Sequence, residues 1–165
     1  MLKPGSAAPE FILPDENGID VSLADLLNDG PLILYFYPAD FTPGCTQEAC
    51  DFRDLHGGIL AVGLQVIGIS PQSGDSHKRF RKEHNLPFTL LSDEDKVAIK
   101  MYEVDGPLGF GVRRATYLIT QGRKIQDAVQ ADIVINKHKE FIEKAIMLRE
   151  TAGIRNRDLD SSVAG

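Results

Sequence analysis

The chain has 165 residues, 42% of them hydrophobic and 25% charged, the size and composition of one domain that buries its core without disulfide staples. A formal net charge of −6 argues against a surface that neutralises many phosphates, so no nucleic-acid partner is expected. No apolar run approaches bilayer-spanning length, and Met1-Leu2-Lys3-Pro4-Gly5 lacks a secretory core, so the expectation is a cytoplasmic protein with no membrane partner.

The first elements read as a β-hairpin: Phe11-Ile12-Leu13, then Asp15-Glu16-Asn17-Gly18, then Ile19-Asp20-Val21. Asn-Gly supplies the positive φ that a tight hairpin turn requires. Ser22 is placed to cap a short helix over Leu23 to Leu27. Leu32-Ile33-Leu34-Tyr35-Phe36-Tyr37 is continuously apolar and of strand length, as a central strand covered on both faces would be.

A helix carrying both cysteines comes next, followed by a strand at Val66 to Ser70 and a charged helix from Asp75 to His84 with Phe80 inward. His77 and His84 lie seven residues apart on that helix and are expected on a solvated face. A strand at Phe88 to Leu91 and a helix from Glu94 to Tyr102 continue the alternation. Ala115 to Thr120, Gln121-Gly122 and Lys124 to Gln130 form a late hairpin, and Asn136 to Arg149 is an amphipathic helix with Phe141, Ile142, Ala145, Ile146 and Leu148 on or near one face.

Strands alternating with helices predict an α/β fold, a central mixed sheet flanked by helices, with the first hairpin as an N-terminal extension. One domain is expected over residues 1–150. Beyond it, residues 151–165 lose apolar periodicity and are expected as a disordered tail.

The chemistry concentrates in Tyr35-Phe36-Tyr37-Pro38-Ala39-Asp40-Phe41-Thr42-Pro43-Gly44-Cys45-Thr46-Gln47-Glu48-Ala49-Cys50, which contains both cysteines where a strand gives way to a helix. Unpaired N–H groups and the positive dipole end of a helix start favour a thiolate, so the Cys45 pKa should fall below the free value of about 8.5. Cytosolic cysteines are seldom structural staples, and His56, His77, His84 and His138 form no Cys/His cluster in sequence, so neither a metal nor another cofactor is expected.

Pro38 to Cys45 is similar to the Pro-x-x-x-Thr-x-x-Cys signature of peroxiredoxins, and Glu48 stands where that family usually has a glutamate. Cys50 resembles the resolving cysteine of the bacterioferritin comigratory protein or type Q subfamily. Leu86 to Asp93 and Arg114 to Ile119 extend the likeness, which runs from about Leu2 to about Leu148. It implies a thioredoxin-like fold and reduction of hydrogen peroxide and small organic hydroperoxides, with thioredoxin or a similar dithiol as reductant. The glycine-rich loop Asp105 to Gly111 and the extra tail depart from the pattern and leave open peroxide preference and the choice between a monomer and a weak homodimer.

On this reading Cys45 attacks the peroxide, and Thr42, one turn earlier, shares its pocket. The resemblance puts Arg114 beside the thiolate, with fixed donors for the peroxide oxygens. Pro38, having no N–H, provides an apolar wall that shields the nucleophile. Glu48 is expected to anchor the arginine through a hydrogen bond rather than to act as an acid or base.

A sulfenic acid on Cys45 would condense with Cys50. Five residues of intact helix separate Cα atoms by roughly 8.6 Å, beyond the reach of a disulfide of about 7 Å, so the helix must unwind locally in each cycle. The competing expectation is a thioredoxin-like disulfide reductase or isomerase, although such enzymes usually carry Cys-x-x-Cys. A non-catalytic module on the same fold is a further alternative.

Overall fold

The computed structural model describes residues 1–163, the side chains of 154–163 excepted. A hairpin of β1 (Ile12–Pro14) and β2 (Asp20–Ser22) leads into α1 (Leu23–Asp29). Gly18 takes φ 79°, while the Asp15 carboxylate accepts from the N–H groups of Asn17 and Ile19, which closes the turn. Ser22 caps α1 by accepting from Asp25 N–H at 3.1 Å.

The main sheet contains β3 (Leu32–Phe36), β4 (Gln65–Ser70), β5 (Thr89–Ser92), β6 (Ala115–Ile119) and β7 (Ile125–Gln130), in the order β5-β4-β3-β6-β7. β3, β4 and β5 run parallel, whereas β6 pairs antiparallel with both β3 and β7. The central position of β3 explains its unbroken apolar sequence.

Period-two alternation divides β3 between two cores. Leu32, Leu34 and Phe36 join α1, the hairpin and α4 (Val97–Met101) on one face. Ile33, Tyr35 and the following Tyr37 join α2 (Pro43–Ala61), Phe80 of α3 (Gly74–Glu83) and α5 (Asn136–Val163) on the other. Gly68 on β4 is required by this second face, since a Cβ there would lie 2.7 Å from the Tyr35 ring.

Some element bounds differ from expectation for local reasons. The helix expected from Glu94 starts only at Val97, because Lys96 sits in the left-handed region at φ 55°. Asp93 then caps it, accepting from Val97 N–H at 2.7 Å and Ile99 N–H at 2.8 Å. In the late hairpin Arg123, not Gly122, takes the positive φ, at 60°.

α5 runs to Val163, past the expected end at Arg149, so the segment from 151 expected as a disordered tail is helical as far as it is described. Residues 164–165 of that tail lie outside the described residues. Phe141, Ile142 and Ala145 are buried as their spacing predicts, whereas Leu148 is exposed. No described helix is long and apolar enough to cross a membrane.

Candidate active site

β3 ends at Phe36, and the chain crosses the sheet's C-terminal edge through Tyr37 to Thr42 before α2 begins at Pro43. Proline suits the first helical position because its missing N–H would lack an intrahelical partner there anyway. Cys45 is thus the third residue of α2, in the turn where backbone N–H groups and the helix dipole favour an anion.

The Cys45 side chain is 1% exposed, and Arg114 Nη2 donates to its Sγ at 3.3 Å. Arg114 immediately precedes β6, beside the end of β3 where Phe36 pairs with Ala115, which is why residues 69 positions apart in sequence meet. Its other terminal nitrogen donates to Glu48 Oε2 at 2.5 Å. Both partners stand on α2, three residues apart and therefore on one helix face.

Asp132 sorts the two adjacent arginines. It accepts from the Arg114 backbone N–H at 2.8 Å and pairs with the Arg113 guanidinium at 2.8 Å, so Arg113 points outward and Arg114 inward. Gly44 leaves the space that the inward guanidinium needs. A Cβ at that residue would lie 3.2 Å from Arg114 Nη2.

The Thr42 hydroxyl does not bond the sulfur: it donates to Ala39 O at 3.0 Å. With its proton committed to that carbonyl, its lone pairs are left to accept a hydrogen bond. Thr42 is exposed and Pro38 half-buried, both on the loop that leads to Cys45.

Cys50 is half-buried on the same uninterrupted helix, and both thiols are free. Since α2 is continuous through both positions, the roughly 8.6 Å separation expected from helix geometry stands, and the thiols cannot bond without unwinding.

One expectation is corrected. His77 is not on a solvated face but fully buried, its Nδ1 2.8 Å from Asp40 Oδ2 and its Nε2 3.2 Å from Leu91 O. Tyr37 and Ser76 hydroxyls also donate to the Asp40 carboxylate, each at 2.7 Å. This network ties the loop before Thr42 to α3 and β5. The signal was present in the sequence: His77 stands three residues before the inward Phe80, on the same face.

His138 was also missed. It is fully buried on α5, with Nδ1 2.8 Å from Thr116 Oγ1 and 3.4 Å from Glu48 Oε1, while Nε2 is 3.0 Å from Ala131 O. It precedes Phe141 by three residues and Ile142 by four, so the helical period places it on the apolar face. Burial pushes the Glu48 carboxyl up to about 7 despite the opposing attraction of Arg114. Burial likewise pushes His138 down, as does the nearby Arg114 charge, with the Ala131 carbonyl opposing.

Residues 4–128 match the AhpC/TSA family. Peroxiredoxin Q, chloroplastic, of Oryza sativa subsp. japonica is 44% identical over 136 residues, a match covering 81% of this chain and 62% of that protein. Peroxiredoxin Bcp of Bacillus subtilis is 40% identical over 130 residues, covering 74% of this chain and 82% of that protein. Among solved structures, peroxidoxin BcpB from Mycobacterium tuberculosis superimposes with TM-score 0.83 at 34% identity, over 92% of this chain and 98% of that one. A buried cysteine in the first turn of α2, an arginine reaching it from just before β6 and likeness over most of the chain agree: the chain belongs to the AhpC/TSA family, among the peroxiredoxins of the Q or Bcp type.

Proposed function

We propose that this protein is a thiol-dependent peroxidase that reduces hydrogen peroxide and small organic hydroperoxides. The observation that carries this reading is the Arg114 guanidinium 3.3 Å from the Cys45 sulfur, at a helix start. A fixed cation and the helix dipole favour both the thiolate and the negative charge that develops on the peroxide as its O–O bond breaks.

Cys45 attacks one peroxide oxygen, the O–O bond breaks, and hydroxide or alkoxide leaves and takes a proton. The products are a Cys45 sulfenic acid and water or an alcohol. Thr42 accepts from the incoming hydroperoxide O–H, Arg114 donates to its oxygens, and Pro38 walls the approach. The Cys50 thiol then condenses with the sulfenic acid, releasing water and forming a disulfide. Thioredoxin or a similar dithiol restores both thiols by exchange. A cytoplasmic setting and a monomer or weak homodimer complete the reading. The Cys45–Cys50 spacing and the arginine approach weigh against a disulfide reductase or isomerase.

One equivalent of hydrogen peroxide should therefore lower the mass of the reduced protein by two hydrogens, with the linkage mapping to Cys45 and Cys50. An oxygen adduct that persists on Cys45 would contradict the assignment of Cys50. In Cys50→Ser, a single turnover should survive while thioredoxin-driven recycling stops, and sustained turnover with thioredoxin would remove the resolving role.

The disulfide also requires movement. Amide exchange from Thr46 to Phe52 should be slow in the reduced protein and fast in the oxidised one, because the first turns of α2 must open for the bond to form. Equal protection in both forms would rule out the unwinding step.

A further inference from the structure

The connection from β3 to Thr42 is not relaxed. Phe41, immediately before Thr42, sits in the left-handed region at φ 62°, a conformation that is costly for a side chain of its size and that its surroundings must impose.

The hold on it comes from α3. Asp40 is buried, and its carboxylate accepts from three side chains: the Tyr37 hydroxyl at 2.7 Å on Oδ1, and on Oδ2 the Ser76 hydroxyl at 2.7 Å and His77 Nδ1 at 2.8 Å. His77 reaches furthest, because its Nε2 also faces Leu91 O at 3.2 Å. Each ring nitrogen therefore meets an oxygen acceptor, and the ring bridges the loop to β5 by donating from both sides. The Tyr37 hydroxyl lies 3.3 Å from Nδ1 as well, but its own proton goes to Asp40, which leaves its oxygen as a second, longer acceptor. Two further α3 side chains hold Phe41 itself: the Phe80 ring meets it edge-on with centroids 5.2 Å apart, and the Arg79 guanidinium stands 5.8 Å over it. The Thr42 hydroxyl closes the turn by donating to Ala39 O across Asp40 and Phe41.

Tyr37, Asp40 and His77 are all buried, so they give up hydration that apolar side chains at those positions would never have held. Hydrogen bonds, unlike apolar contacts, fix direction. Resting on the reading of Thr42 as acceptor for the hydroperoxide O–H, we propose that His77 is a positioning residue for the peroxide step: through Asp40 it holds the Phe41 turn so that the Thr42 oxygen faces the substrate beside Cys45. Arg114, which holds the sulfur, is anchored separately by Glu48 and Asp132.

His77→Phe keeps the ring volume and removes both N–H donors. It should lower the second-order rate constant with hydrogen peroxide about tenfold, the loss of one neutral hydrogen bond to the reacting molecule. His77→Asn, whose amide nitrogen can stand in for Nδ1 toward Asp40, should recover part of that rate. In a Cys50→Ser background, alkylation of Cys45 by iodoacetamide should change less than about twofold in His77→Phe, because the groups around the sulfur are untouched. Thr42→Val should itself cost about tenfold, and adding His77→Phe to it should cost less than about twofold more, since the group being positioned is already gone.

Losses that multiply in the double variant overturn the proposal, because His77 would then act independently of Thr42. Alkylation that falls as far as the peroxide rate overturns it equally, since the effect would lie on the sulfur. If His77→Phe does not fold, Asp40→Asn tests the same link from its other end and should show the same loss and the same dependence on Thr42. A full rate in Asp40→Asn, in folded His77→Phe or in Thr42→Val also overturns it. None of these results touches the peroxidase reading, which stands or falls on whether Cys45→Ser consumes peroxide.

Discussion

Cys45→Ser is expected to reduce peroxide consumption to the uncatalysed background. The reaction requires a sulfur that is anionic near neutral pH, polarizable, and able to hold an oxygen as a sulfenic acid, and a serine hydroxyl does none of these. The exchange is nearly isosteric at a buried position, Cys45 being 1% exposed, so the fold should survive and the loss should lie in the chemistry. The measurement is peroxide remaining after incubation with the variant and a dithiol reductant, with circular dichroism confirming the fold. Undiminished consumption would assign the activity to another group and remove the proposed mechanism.

Arg114→Leu should lower the second-order rate constant with hydrogen peroxide by about 10²–10³-fold, the usual cost of removing one preorganised donor from a developing oxyanion. The guanidinium donates to the Cys45 sulfur and to Glu48 Oε2, and in the proposed mechanism also to the peroxide oxygens, so its loss should weaken both nucleophile and transition state. The fold is protected against the worst outcome of breaking a buried ion pair, about 3–5 kcal/mol, because Glu48 can take up a proton rather than keep a bare charge. Arg114→Lys should recover part of the rate, since it restores the charge but not the planar fork that reaches two partners. Stopped-flow rates alongside thermal melts separate the two effects, and a rate within a few-fold of the unsubstituted protein in Arg114→Leu would remove Arg114 from catalysis.

The architecture was legible where sequence pattern and environment coincide. The apolar run of β3 could only be a strand covered on both faces, and Pro43 ahead of Cys45 marked the start of α2. Asn17-Gly18 located the first turn, and Ser22 the cap of α1. The late hairpin's turn was less legible, because Arg123 takes a backbone conformation that a neighbouring glycine would have taken more cheaply. The start of α4 depended on Lys96 in the left-handed region and on Asp93 as a cap, neither of which has a periodic signal.

The candidate site was half legible. Cys45, Thr42 and Glu48 fall within one short segment, and Arg114 lies on the approach to a strand that pairs beside it. The direction of Arg114 over Arg113 is decided by Asp132, a contact across 18 residues that local pattern does not encode. His77 and His138 were obscured by their residue type: polar side chains suggest solvent, yet each stands on the apolar face of its helix with its ring nitrogens satisfied by buried acceptors or hydroxyls. Helical spacing from Phe80 and Phe141 was the better guide.

The rate at which iodoacetamide alkylates the lone thiol of Cys50→Ser at about pH 7, with and without Arg114→Leu, asks most directly whether the helix start and Arg114 make a nucleophile of Cys45. Removing the guanidinium should slow the alkylation severalfold, because the cation that favours negative charge on the sulfur is gone. Equal rates with and without Arg114 would contradict the electrostatic origin of the activity.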